Sequence, residues 1–426
     1  MNVQQTIKHL QGGALDARLA ALYGQERVGV QRARYESALR AFGNRYGEGR
    51  DVSLFSVPGR SELSGNHTDH NCGCVIAAAV DLDIIAVAAK NEDSTVRLLS
   101  EGFPEDTVNL DAFSAPVPAR FSHSDAIIAG VCAGLRAAGY RVGGFDAYTT
   151  SDVPKGSGLS SSAAFENMVG NIENHFYNAG KIDNALLAQI SQYAENAFFG
   201  KPCGLMDQTA SAVGGVVAID FADNGHPRID RLSLDLDAFG YSLCILNTGG
   251  NHADLTPDYA AVPAEMKALA AAMGKRVLRE LDEDSVLNAI PTLRARVGDR
   301  AILRALHFFA ENRRVAAQRA ALSAGDLPAF LELVKQSGLS SFCYLQNVYS
   351  PANPAEQGVS LALRLAEHFL SDKKGAWRVH GGGFAGTVQA YVQKKDTAAF
   401  CTQMNAVFGK DACTPLRIRA EGAIML

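Results

Sequence analysis

The chain has 426 residues, 47% of them hydrophobic and 20% charged, with 40 glycines and 14 prolines, so it falls in the globular range and outside disordered and collagen-like compositions. Its 40 basic and 45 acidic residues leave a formal charge of −5, which supplies no positive field for gripping a polyphosphate backbone and argues against a nucleic-acid partner. The first residues lack the basic-then-apolar build of a secretory signal, and the most apolar stretch, residues 74–90, is interrupted by Asp81 and Asp83, so a cytoplasmic protein without membrane attachment is expected.

In chain order, residues 1–47 carry apolar side chains at helical spacing (Leu19 and Leu22, then Tyr35, Leu39 and Phe42) and close on glycines. Strand-like runs follow at 52–57, 75–89 and 96–99. Residues 124–139 predict a helix with Ile127, Ile128, Val131 and Leu135 on one face, followed by a strand in which Phe145, Ala147 and Thr149 alternate with more polar neighbours. A Gly/Ser-rich loop then opens a helix carrying Phe165, Met168, Val169, Ile172 and Phe176. A second helix over 183–199 is closed by Gly200, and a short strand spans 214–221.

The second half begins near Gly240 with a strand at 241–246 and runs through helical stretches at 264–281 and 299–324. It ends with a glycine-rich segment at 380–386, a strand at 387–392 and a last helix and strand. Strands and helices mixed in no strict βαβ rhythm predict an α+β fold. The length predicts two domains, placed at 1–235 and 236–426, with a cleft between them. The eight cysteines show no paired ligand spacing. Cys72 and Cys74, beside His67 and His70, read as free thiols of a reducing compartment.

Three segments carry chemistry. The first, residues 154–164, places Gly156, Ser157, Gly158, Leu159, Ser160, Ser161, Ser162 and Ala163 between a strand and a helix. Glycines let backbone N–H groups approach an anion, and a helix start adds unpaired donors and a positive dipole end, so the loop reads as a phosphate cradle. Lys155 precedes the glycines, which excludes a Walker A loop. The second segment, residues 59–71, is dense in Arg60, Asn66, His67, Asp69 and His70, the donors and acceptors that read a polyhydroxyl ligand, and it is expected to be a polar loop between two strands. In the third, Glu195 lies near a helix end and Asp207 follows Gly204 just past a turn, so that one carboxylate can hold a cation while the other faces a hydroxyl.

Together these segments resemble the galactokinases, within the GHMP small-molecule kinases, over nearly the whole chain. Pro58-Gly59-Arg60, Gly65, His67-Thr68-Asp69 and Asn71 match the signature PGRVNLIGEHTDYNGG. Residues 154–164 match the Gly-Leu-Ser-Ser-Ser-Ala ATP loop, residues 202–208 the base-bearing segment, and His380 to Gly386 the C-terminal glycine motif. The resemblance implies a two-domain GHMP fold with the active site in the inter-domain cleft. It also implies an ATP- and Mg²⁺-dependent transfer of a phosphoryl group to the anomeric hydroxyl of galactose; a monomer or weak homo-oligomer is expected. It implies that Asp207 faces that hydroxyl, that Arg60 lies near Asp207 and the transferring group, that Ser161 or Ser162 holds Mg²⁺ with Glu195, and that Gly204, His67, Asp69 and Tyr259 meet the sugar.

The sequence departs from the pattern at several places. Asn66 stands where the family has a Glu, Ser61-Glu62-Leu63-Ser64 replaces Val-Asn-Leu-Ile, and His70 replaces Tyr. An Asn amide can accept from the sugar's CH₂OH or donate to a carboxylate, so Asn66 is expected to bind substrate and galacturonate is the rival sugar. A rival of another class is a galactose sensor that binds ATP and sugar without turnover, against which the intact Ser162-Ala163, Asp207 and Arg60 argue. The single tryptophan, Trp377, lies far from the ATP loop in sequence, so Phe103, Phe113 or Phe121 is expected to stack on adenine.

Overall fold

The structure, a computed structural model, describes residues 1–112, 115–154, 158–201, 203–223, 225–250 and 255–426. Three helices open the chain: α1 (Val3–Gln11), α2 (Asp16–Tyr23) and α3 (Val28–Tyr46). Asn2 caps α1 by accepting from the Gln5 N–H at 2.9 Å while the Gln5 side chain accepts from the Asn2 N–H at 3.0 Å.

Next come β1 (Ser53–Ser64), β2 (Cys74–Lys90), β3 (Thr95–Ser100), β4 (Glu105–Asn109), α4 (Ser124–Ala137), β5 (Phe145–Ser151), α5 (Ser161–Asn178), α6 (Asn184–Tyr193), α7 (Met206–Val213), β6 (Val216–Asp220) and β7 (Arg228–Leu232). One face of β1 and β2, through Leu54, Ile85, Val87 and Ala89, packs on the opening helices. The other, through Phe55, Val57, Ile84, Ala86 and Ala88, packs on α4 and α5. Burial on both faces is why β2 reads as an almost unbroken apolar run. Its two acids are the exception. Asp83 is fully buried and receives Arg34 at 2.7 Å, Arg419 at 3.1 Å and the Tyr23 hydroxyl at 2.5 Å, and these cations hold its carboxyl below the ordinary range against the opposing effect of burial.

The second half contains β8 (Tyr241–Asn247), α8 (Thr256–Ala272), α9 (Glu283–Ser323), α10 (Leu327–Ser340), α11 (Gly358–Leu370), β9 (Ala376–His380), β10 (Thr387–Gln393), α12 (Lys394–Phe408), β11 (Cys413–Leu416) and β12 (Ile424–Met425). The helix expected over 264–281 begins earlier, because Pro257 fits a first helical turn, and stops at Ala272, before Gly274 at φ +76°. Among the described residues no helix is long and apolar enough to cross a membrane.

Two sheets result, which gives the mixed α+β architecture. Eight strands form the first, in the order β12-β1-β2-β5-β3-β4 with β6 and β7 branching from β2, and four form the second in the order β11-β8-β10-β9. The chain passes between them after β7. The tail differs from the expected division. Strand β12 returns to pair with β1 (Phe55 opposite Met425), and Arg419 reaches Asp83, so the last residues belong with the first sheet.

Candidate active site

Residues 59–64, expected in a loop, continue β1. Register shifts against β2 at 58/60 and 62/64 break its alternation, and the whole stretch is buried. The strand's polar side chains run between the two sheets: the Ser61 hydroxyl lies 3.0 Å from His380 Nε2, and Glu62 pairs with Arg378 of β9 at 2.5 Å. Polar density in the sequence here marks an inter-sheet seam.

Asp207, in the first turn of α7, is held by Arg60 of β1 in a two-pronged ion pair, Nε to Oδ1 at 2.7 Å and Nη2 to Oδ2 at 2.5 Å. The Ser160 hydroxyl donates to the same carboxylate at 2.7 Å. Burial works to raise the pKa of Asp207, but the Arg60 charge and these hydrogen bonds outweigh it and keep the carboxyl below its ordinary value. The remaining Arg60 nitrogen, Nη1, donates to the Gly158 carbonyl, so one guanidinium ties the acid to the glycine loop. Ser160, in a left-handed conformation at φ +58°, is the N-cap of α5, whose first-turn N–H groups, at Ser161, Ser162 and Ala163, have no carbonyl to bond within the helix. The side chains of Leu159 and Ala163 point into the core, so only their backbone can face a phosphate. Gly156 and Ser157 lie outside the described residues.

Across from this pair, Asp69 packs directly on Gly204: a Cβ at residue 204 would come within 1.9 Å of Asp69 Oδ2, so only glycine fits. Burial, and then the nearby Asp207 charge, push the Asp69 carboxyl up to about 6. His67 bonds the Gly382 carbonyl through Nε2 at 2.9 Å, and burial keeps its ring pKa low. Tyr259 of α8 donates to the Gly383 carbonyl at 2.9 Å, and its ring lies where a Cβ on Gly382 would be 2.6 Å from Cε1. The glycine turn between β9 and β10 is thus both a steric necessity and a neighbour of His67 and Tyr259.

The structure corrects the expectation for Asn66. The side chain is fully buried, its amide donating to Glu62 Oε1 at 3.1 Å and to the Gly381 carbonyl at 2.7 Å while its oxygen accepts from Asn347 at 2.8 Å and Ser341 at 3.2 Å. Both donors and both acceptor positions are used, so no group is left for a sugar hydroxyl. Asn66 braces the seam, and His67, Asp69 and His70 are the half-buried members of the segment.

Glu195 lies in a wide helical turn at 194–199 after α6. It pairs with Lys201 at 3.0 Å and accepts from Gln208 at 2.9 Å, and the same Gln208 nitrogen donates to Glu166 at 3.0 Å. Burial and the Glu195 charge hold the Glu166 carboxyl well above the ordinary range, and its Oε1 is buried without a hydrogen-bond partner. Glu166 and Gln208 carried no role in the sequence reading. The available signal was a run of polar residues on the buried face of α5, where Glu166, Asn167, Asn171, Glu173 and Asn174 are all at most 2% exposed.

Ser161, Ser162, Glu166 and Glu195 line a cavity of about 830 Å³. Phe103, Ile127, Phe165 and Phe199 line it as well. Phe121 instead packs on Gly200, Trp377 belongs to the core against the second sheet, and Phe113 lies outside the described residues.

These elements recur in known proteins. The family model for the GHMP kinases N terminal domain matches residues 126–215, and that for the galactokinase galactose-binding signature matches residues 40–90. A galactokinase of Streptomyces coelicolor is 32% identical over 345 residues, spanning 80% of this chain and 84% of its own length. The galactokinase of Homo sapiens is 31% identical over 402 residues, spanning 91% and 96%. The crystal structure of Lactococcus lactis galactokinase complexed with galactose superposes with a TM-score of 0.77 at 27% identity, covering 92% of this chain and 99% of the other. Methanococcus jannaschii mevalonate kinase, at TM-score 0.61 and 14% identity over 86% of this chain and 98% of its own, shares the fold. Sequence and architecture agree that the chain belongs to the galactokinase family of GHMP kinases.

Proposed function

We propose that the protein transfers the γ-phosphoryl group of ATP to the anomeric hydroxyl of D-galactose, giving galactose 1-phosphate and ADP. The observation that carries this reading is the Asp207 carboxylate, kept ionised by Arg60 and Ser160, facing Asp69 and Gly204 on one side and the start of α5 on the other. A carboxylate held below its usual pKa is a weak base toward a neutral hydroxyl. Asp207 therefore orients the anomeric O–H and receives its proton as the new O–P bond forms, which suits a loose phosphoryl-transfer transition state. Asp69, with His67 and Tyr259 nearby, supplies acceptors and walls for the sugar ring, while the glycine loop and the α5 amides take the phosphates. Phe103 and Phe199, in the cavity beside Glu195, supply the aromatic faces suited to adenine.

The residues present fit Mg²⁺. Ser161 or Ser162, Glu195 and Glu166 are hard oxygen donors, and a cation would relieve the like-charge conflict with Glu195 that adds to burial in raising the Glu166 carboxyl, and would use its orphaned Oε1. When bound there, Mg²⁺ supplies neutralisation of charge on the β- and γ-phosphate oxygens. Glu195→Gln should raise the Mg²⁺ concentration needed for half-maximal turnover and weaken ATP use more than galactose binding. An unchanged Mg²⁺ titration would leave Glu195 as a structural partner of Lys201 and Gln208.

Asp69 makes the pH dependence specific. As pH falls through about 6 its carboxylate takes up a proton and loses an acceptor for sugar hydroxyls, whereas Asp207, with its lowered pKa, stays ionised in that window. The kcat/KM for galactose should therefore fall below about pH 6, and Asp69→Asn should be slower throughout but lack that limb. Retention of the limb in the variant would assign it to another group.

Arg378, the guanidinium in the Asn66 network, is already paired with Glu62, so it offers no counter-charge to a sugar acid. Eight free thiols suit the reducing cytoplasm, where we place the enzyme as a monomer or weak homo-oligomer acting on free sugar and ATP. The deciding measurement is ATP-dependent ADP release with galactose, N-acetylgalactosamine, galacturonate, glucose and arabinose. Turnover is expected with galactose and not with galacturonate; the reverse order would overturn the proposal.

A further inference from the structure

Three cysteines converge at the second sheet: Cys244 on β8, more than 150 residues from the other two, Cys413 on the adjacent β11, and Cys401 on α12, which packs over both strands. Their sulfur atoms all lie within 4.8 Å of one another, and none is in a disulfide. Cys244 and Cys413 are buried, and Cys401 is half-buried, which leaves an approach from the helix side. Three thiolates around one ion at about 2.3 Å would lie about 4 Å apart, so the observed spacing needs only small side-chain rotations to close on a metal.

A disulfide is a poor alternative for the two strand residues. Cys244 is registered opposite Pro415 and Cys413 opposite Leu246, which makes the cysteines diagonal neighbours. Diagonal Cα atoms are about 7–8 Å apart, beyond the ordinary reach of a disulfide. The surroundings also select the ion. Among the described residues no histidine or carboxylate joins the group, so the donor set is sulfur alone. All-thiolate sets favour soft ions over Mg²⁺ or Ca²⁺.

We propose that Cys244, Cys401 and Cys413 form a binding site for one soft, thiophilic d¹⁰ metal ion, separate from the phosphoryl-transfer site, that staples α12 to β8 and β11. Binding converts the thiols to thiolates and releases their protons to solvent.

The test uses Cd²⁺ as probe on the full, reduced, metal-free chain, followed by the ultraviolet thiolate-to-cadmium charge-transfer band and by calorimetry. The expected result is one tight equivalent per chain with the band intensity of three thiolates, and a rise in Tm on binding. Cys401→Ser removes the half-buried ligand without emptying the core, and Cys413→Ala tests a strand ligand. Each should weaken Cd²⁺ binding by at least roughly 100-fold, since even outer-shell partners of a metal site are worth 10–100-fold. Cys343→Ser, at an exposed thiol, and Cys74→Ser should leave it unchanged. No tight equivalent in the parent protein, or full affinity in a folded Cys401→Ser variant, would overturn the site.

Discussion

Replacing Asp207 by asparagine should lower kcat by roughly two or more orders of magnitude at saturating galactose and ATP while leaving the sugar KM within roughly threefold. The amide keeps the shape and can still accept a hydrogen bond, but it cannot receive the proton that leaves the anomeric oxygen. Arg60 spends donors on both carboxylate oxygens and on the Gly158 carbonyl, so Arg60→Ala should cost kcat by a different route. Without the guanidinium, burial dominates at Asp207 and its pKa rises. The acid limb of kcat should then move to higher pH, a shift that Asp207→Asn does not show. Near-parental turnover in Asp207→Asn would remove this carboxylate from the chemistry. A pure KM effect in Arg60→Ala would make Arg60 a substrate ligand.

The parts of the molecule legible in sequence are those where a local rule and the tertiary environment agree. The helix over 124–139 and the strand at 241–246 appear within a few residues because their apolar periodicities match the faces they bury. The extension of β1 through residues 59–64 was hidden for the opposite reason. Arg60, Ser61 and Glu62 are buried as polar side chains, and partners from β9, β10 and α7 satisfy them. No window of sequence contains those partners. The return of β12 to the first sheet and the meeting of Cys244 with Cys401 and Cys413 are hidden in the same way, as pairings across more than a hundred residues.

At the site, the neighbours of a side chain decide what chemistry is left to it. In sequence Asn66 has the freedom to accept or donate. That freedom exists for an isolated amide and vanishes once four partners are fixed. Glu166 shows the converse: nothing in its helix marks it out in sequence, and its company with Glu195 and Gln208 makes it part of the cavity's charged lining.

The Asn66 network carries the second large prediction. From the sequence, Asn66→Glu would keep or improve galactose use by restoring the family residue. In the structure the Asn66 amide donates to Glu62 at 3.1 Å and to the Gly381 carbonyl, so a glutamate would set two buried carboxylates against each other and an oxygen against an oxygen. At about 3 Å and an effective dielectric near 20, the repulsion is about 5 kcal/mol before protonation relieves part of it, a large fraction of ordinary folding stability. Asn66→Glu should therefore lower Tm by roughly 10 °C or more, or abolish soluble expression. The family carries Asn where this chain has Glu62 and Glu where it has Asn66, so the two positions look exchanged. The double variant Glu62→Asn/Asn66→Glu keeps one amide, one carboxylate and a counter-charge in Arg378, and it should recover a substantial part of the lost stability. Melting curves of the parent, both single variants and the double variant give the coupling directly. If Asn66→Glu alone melts like the parent and uses galactose better, Asn66 meets the sugar after all and the closed network around it is not its role; if the double variant is no more stable than Asn66→Glu, the two positions are not coupled as a charge exchange.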